Sequence, residues 1–209
     1  MTEKVLCIDE HELLGLFEAV NAKENAVYVS GVSADTWTNL SIPFGFVPRD
    51  ECENDDTFKQ MIPYIIVKHG GRYLTYSRTD QSGEKRLVGK KSIGIGGHIN
   101  QSDLPEGSTQ LDAIIRNCII REVKEELGVD LPTGRFFVSG ILYKPTDDVS
   151  RKHFGVVAQA YIAPDAICQP ENTMTRLEWK PTLELFRTRN EYETWSKYLI
   201  EHLMANEGL

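Results

Sequence analysis

The chain has 209 residues, with 23 Lys and Arg against 31 Asp and Glu, a net charge of −8. Its 41 % hydrophobic and 26 % charged residues exclude a wholly disordered chain, and its length suffices for one substantial core. The acidic balance argues against sequence-independent binding to a nucleic-acid backbone, which needs a basic face. It leaves room for a phosphorylated small molecule, because a metal can supply positive charge locally. No apolar run approaches the length of a membrane-spanning helix, and the N-terminus carries acids where a secretory leader carries basic residues. Cys7, Cys52, Cys118 and Cys168 form no CxxC pair. They read as four free thiols of a cytoplasmic protein, not as a zinc site.

Residues 10–20 have the spacing of an amphipathic helix, with Leu13, Leu14, Leu16, Phe17 and Val20 available for its core face. Segments 26–30 and 36–47 read as extended chain, and 48–56 as a loop. Strands follow at 61–69 and 72–78, joined by Gly70-Gly71 in the manner of a tight hairpin. A polar connection (79–86) leads to SIGIGGHIN (92–100), whose glycines suit close backbone approach better than an ordinary packed strand. A helix runs from Ser108 or Thr109 to Leu127, with Gly128 as its stop. Two β-rich runs (135–144 and 153–162) and two helices (181–186 and 190–204) complete the chain. Tyr192, Trp195, Leu199 and Leu203 recur at helical spacing as core residues. The whole predicts a mixed sheet covered by helices, in an α/β or α+β domain spanning 61–209, with residues 1–60 as an N-terminal elaboration packed on it.

The chemistry concentrates in Arg121-Glu122-Val123-Lys124-Glu125-Glu126-Leu127-Gly128-Val129. With Glu122 at zero on a helical wheel, Glu125 falls at about −60°, Glu126 at about +40° and Arg121 at about −100°. Three carboxylates in one narrow arc repel each other, and a divalent cation would relieve that repulsion. Carboxylate oxygens suit hard ions such as Mg²⁺ or Mn²⁺, which also bridge to phosphates. The alternative is a solvated acidic face. Two features weigh against it: acids at a helix C-terminus oppose the macrodipole, and the apolar Leu111, Ile115, Cys118 and Ile119 project near the same arc upstream.

REVKEELGV, preceded by GIGGHIN, resembles the Nudix box, whose second half reads R-E-(apolar)-x-E-E-x-G-(apolar). The likeness extends over roughly residues 61–187 and implies the Nudix fold, a mixed sheet between helices. In the usual box a glutamate lies eight residues before the arginine and a glycine six before that. Those positions here hold Ala113 and Gly107, and the loop from Gly96-Gly97 to the helix is about ten residues longer. This is read as an insertion over 100–110 plus an extended helix. Asp112, Glu106 and Asp103 are the candidates to replace the glutamate, with no replacement as the remaining option.

The resemblance implies a metal-dependent hydrolase that cleaves a diphosphate linkage in a nucleoside diphosphate joined to another moiety. Glu125 and Glu126 would be metal ligands, and Glu122 a further ligand or the base. The Gly96 carbonyl would join the metal shell, Arg121 would orient the acids, and Mg²⁺ or Mn²⁺ is the implied cofactor. Gly97, His98, Arg78, Glu178 and Glu171 are candidates for substrate binding, the two glutamates also as a later acid. Surface or loop roles are equally open for each of them. Expected partners are small molecules, not nucleic acid polymers or membranes, with a homodimer on analogy alone. Two other readings remain. One is an isopentenyl-diphosphate-isomerase-like enzyme, which needs a catalytic cysteine and glutamate. The other is a nucleotide-sensing module without activity, against which the retained glutamates speak.

Overall fold

A computed structural model describes residues 2–20, 27–32, 36, 43–79, 89–167 and 172–206. Its architecture is α+β, a mixed sheet with helices, as the sequence predicts: among the described residues there are six α-helices and ten strands. The chain groups into two compact units, one of Met1–Tyr64, Gly96–Arg121 and Phe137–Ala158, the other of Ile65–Ile95, Glu122–Phe136 and Gln159–Leu209.

In the first unit, β1 (Lys4–Asp9) pairs antiparallel with β3 (Gly45–Pro48) and with the start of β4 (Phe58–His69), Cys7 opposite Gln60. β2 (Tyr28–Ser30) pairs antiparallel with β8 (Phe136–Leu142), and β9 (His153–Tyr161) lies next to β8. Helix α1 (Glu10–Ala19) starts where the Asp9 carboxylate accepts the His11 N–H at 2.8 Å, which satisfies a donor that the helix cannot. It buries Leu13 and Leu16, but Leu14, expected on the core face, is exposed. The stretch expected as a loop at 48–56 holds a short helix, α2 (Arg49–Asn54), and a second short helix, α4 (Asp148–Lys152), lies between the two later β-rich runs. Asp147 caps α4 by accepting the N–H groups of Val149 and Ser150.

In the second unit, β4 and β5 (Arg72–Arg78) form the expected hairpin, with Lys68 opposite Tyr73 and His69 opposite Arg72. Gly70 (φ 52°) and Gly71 (φ 73°) take the left-handed conformations that a two-residue turn of this twist requires. The short strands β6 (Lys91–Ser92) and β7 (Gly94–Ile95) pair with β5 and β4. β5 also pairs with β10 (Met174–Pro181), a strand the sequence reading does not anticipate. Helix α5 (Thr182–Arg187) follows directly. Helix α6 (Thr194–Asn206) begins later than expected, because the buried Glu193 carboxylate accepts the Trp195 and Ser196 N–H groups and fixes its start. Tyr192, Trp195 and Leu199 are core residues as expected.

Helix α3 (Leu111–Leu127) carries the acidic motif. Leu111, Ile114, Ile115, Cys118, Ile119, Val123 and Leu127 are buried, the period of one helix face. The helix ends at Gly128 (φ 70°), whose N–H reaches the Lys124 carbonyl at 3.0 Å. No helix among the described residues is long and apolar enough to cross a membrane.

Candidate functional site

The loop before α3 is built around one ion pair. Arg121 donates from Nε to Asp103 Oδ1 (2.8 Å) and from Nη2 to Asp103 Oδ2 (2.9 Å), a bidentate fork. The same Nη2 reaches the His98 carbonyl at 2.9 Å and the Cys118 sulfur at 3.3 Å. Asp103 is 2 % exposed. Its carboxylate also accepts the Asn100 N–H, and its carbonyl accepts from the Asn117 side chain. Loop and helix are thus stitched together at both faces of one aspartate. Of the three acids left open as replacements for the box glutamate, Asp103 is the one that holds Arg121. Asp112 instead pairs with Arg116 one turn along the same helix.

Asp103 also corrects the placement of the insertion. It lies six residues after Gly97, the spacing the box gives its glutamate, so the extra residues fall between Asp103 and Arg121, not over 100–110.

Gly96 has φ 145°, and a Cβ there would lie 1.9 Å from the Pro63 carbonyl oxygen. Only glycine permits this approach, so the main chain at 96 is held by a steric constraint. His98 is half-buried, 5.6 Å from the His153 ring. Burial, with the charge of Arg49 and the neighbouring His153, depresses its pKa to about 3. Its side chain is therefore neutral at pH 7. Its carbonyl serves Arg121, in line with a loop-structural role.

On the last turn and a half of α3, Glu122 is buried at 6 % exposure, Glu126 is half-buried and Glu125 is exposed. Arg78, on β5, places its guanidinium 5.7 Å from the Tyr76 ring centre. Burial raises the Tyr76 pKa; the charge of Arg78 opposes that rise and the charge of Glu126 adds to it, so cation and acid both act on one tyrosine. Glu178, on β10, pairs with Lys180 at 3.0 Å, which holds its carboxyl below the usual range. Lys180 also binds Glu184 at 3.1 Å. Glu171 and Cys168 lie outside the described residues.

The donor chemistry of Glu122, Glu125 and Glu126 fits a hard dication: three carboxylates within five residues of one helix, the first withdrawn from water. As placed, no three His, Cys, Asp or Glu side chains among the described residues converge into a metal-holding group. Binding would therefore require the glutamate side chains to turn toward a common centre.

The fold is that of the Nudix hydrolases. No family model matches the chain. Protein YmaB of Bacillus subtilis (strain 168) is 27 % identical over 205 residues, 94 % of this chain and 98 % of that protein. The crystal structure of Tm1382, described as a candidate Nudix hydrolase, covers 97 % of this chain with 99 % of its own, at 26 % identity and a TM-score of 0.75. A MutT protein from Methanosarcina mazei Go1 shares the fold at 15 % identity and a TM-score of 0.50, over 71 % of this chain and 95 % of its own. The chain is thus similar in sequence and in fold to a protein described as a Nudix hydrolase.

Proposed function

We infer that the protein is a divalent-metal-dependent hydrolase of a diphosphate linkage, acting on a nucleoside diphosphate joined to another moiety. The observation that carries this reading is the Arg121–Asp103 fork. It ties the glycine loop to α3 at the box spacing from Gly97 and so supports an intact box ahead of the three glutamates.

Glu122, Glu125 and Glu126 would hold Mg²⁺ or Mn²⁺, with the Gly96 carbonyl as a further ligand on the strength of the sequence resemblance alone. When bound, such an ion supplies charge neutralisation at the diphosphate and a lowered pKa for water. Arg121 is a positioning residue: it donates to Asp103 and to the His98 carbonyl, and so anchors the helix turn that precedes Glu122. Glu122, buried and adjacent in sequence, is the acid placed to accept a proton if it is not a ligand. Arg78 would give the substrate phosphates a permanent cation, while neutral His98 and the Gly97 backbone would offer hydrogen bonds. Glu178 and Glu171 remain candidates for a later acid, the former already engaged by Lys180.

An isomerase reading needs a reachable catalytic cysteine, whereas among the described residues Cys7, Cys52 and Cys118 are all buried. Retention of all three helix glutamates speaks against a sensor without activity.

The test is appearance of the nucleotide products, separated by ion-exchange chromatography, with Mg²⁺ and with Mn²⁺ across nucleotide sugars, dinucleotides, dinucleoside polyphosphates and nucleoside triphosphates. Glu125→Gln and Glu126→Gln should each lower turnover on the order of 10²-fold or more, with unchanged circular dichroism, and a chelator should abolish it. Turnover equal to wild type in both variants overturns the assignment.

A further inference from the structure

Two of the four cysteines, 45 positions apart in sequence, meet in the fold. Cys7 lies on β1 and Cys52 on α2, and their Sγ atoms are 2.7 Å apart. Both are free thiols and both are buried, in an apolar cluster with Val5, Val47 and Phe58. A disulfide sets its sulfurs about 2.05 Å apart, so this pair needs to close by about 0.7 Å. Cys118 has different surroundings: its sulfur faces the His98 carbonyl and the Arg121 guanidinium, not another thiol.

We propose that Cys7 and Cys52 are a modification site, forming an intramolecular disulfide when the protein meets a low-molecular-weight disulfide such as oxidised glutathione. In the first step, the thiolate of one cysteine attacks a sulfur of the small disulfide. A protein–glutathione bond forms, the small S–S bond breaks, and one glutathione thiolate leaves. The second protein thiolate then attacks the protein sulfur of that mixed disulfide and expels the second glutathione thiolate. The two protein thiols lose two protons and two electrons, and the small disulfide gains the electrons to become two thiols. Burial raises both protein thiols above their ordinary pKa, so thiolate is scarce and the exchange waits on local opening around the six-residue α2. Once formed, the bond staples β1 to α2 across those 45 positions and narrows the unfolded ensemble. The proposal does not depend on the hydrolase reading.

The full-length protein is incubated with oxidised glutathione, denatured, alkylated with N-ethylmaleimide, and weighed intact and after trypsin. Two of the four cysteines should escape alkylation, and peptide 5–23 should be joined to peptide 50–59 through a bond that dithiothreitol breaks. The oxidised protein should melt higher than the reduced one, by roughly 5–15 °C. Cys52→Ser and Cys7→Ala should each abolish the linked peptide, and Cys118→Ser should keep it. Four alkylated cysteines overturn the proposal, as do glutathione adducts alone or a link through Cys118 or Cys168. Because the wild-type peptide map decides the matter, a variant that fails to fold does not rescue the proposal.

Discussion

Asp103 is nearly inaccessible to water and accepts two hydrogen bonds from one guanidinium, whereas Arg121 keeps 24 % of its side chain exposed. Breaking a fully buried ion pair costs about 3–5 kcal/mol, because one charge is stranded. The partial exposure of Arg121 lets water recover part of that, so Asp103→Asn should cost roughly 1–3 kcal/mol in urea unfolding. Arg121→Lys should cost a similar amount, since an ammonium cannot reproduce the planar fork. The double variant should lose clearly less than the sum of the two, and additive losses would show that the pair is not coupled. The helix acids, the arginine and the glycine pair were all legible in the sequence. The partner of the arginine was not singled out, because an aspartate stands where the pattern has a glutamate and an insertion separates it from the arginine. The Lys180 that holds Glu178 left no trace in any motif; it becomes visible only once β10 exists.

Among the elements, those with long apolar periodicity were legible: α1, α3, α6 and the β4–β5 hairpin with its glycine turn. Helices α2 and α4 were not, since six and five mostly polar residues give no period to detect and their ends are set by local bonds. Strand β10 was hidden for another reason. Its pairing with β5 shifts between Thr175 and Glu178, and Arg176 adopts φ 54°, so strict alternation is interrupted within the strand. The glycine loop separates two costs that sequence alone runs together. At Gly107 (φ 72°) nothing lies within 4 Å of an added Cβ, so Gly107→Ala should cost only the backbone term, about 1 kcal/mol. At Gly96 the same change drives a methyl group into the Pro63 carbonyl, and neither partner is a flexible side-chain end. Gly96→Ala should therefore cost well over twice as much by denaturant unfolding. Equal losses for the two variants would mean that the β4 backbone gives way at little cost.

For the molecule as a whole, the sequence predicts an elaboration over residues 1–60 and a core from 61 onward. The structure shows that β4 starts at Phe58, and its first residues pair with β1: Cys7 with Gln60, Ile8 with Lys59 and Asp9 with Phe58. The Leu6 N–H also bonds the Ile99 carbonyl at 2.9 Å, next to the loop that carries His98. Val5, Leu6, Cys7 and Ile8 are all at most 2 % exposed. Deleting residues 1–60 would thus remove the first three residues of β4 together with their β1 partners, remove a bond from the box loop, and expose apolar surface that β1 covers. At roughly 25 cal/mol per Å², a strand with four buried apolar side chains carries several kcal/mol, comparable to the whole stability of an ordinary domain. The 61–209 fragment should therefore be insoluble or unfold without cooperativity, read by thermal melting and far-ultraviolet circular dichroism. A soluble fragment that melts in one sharp transition would show instead that the first sixty residues are dispensable to the core, which would then have to cover the apolar surface left by β1 by itself.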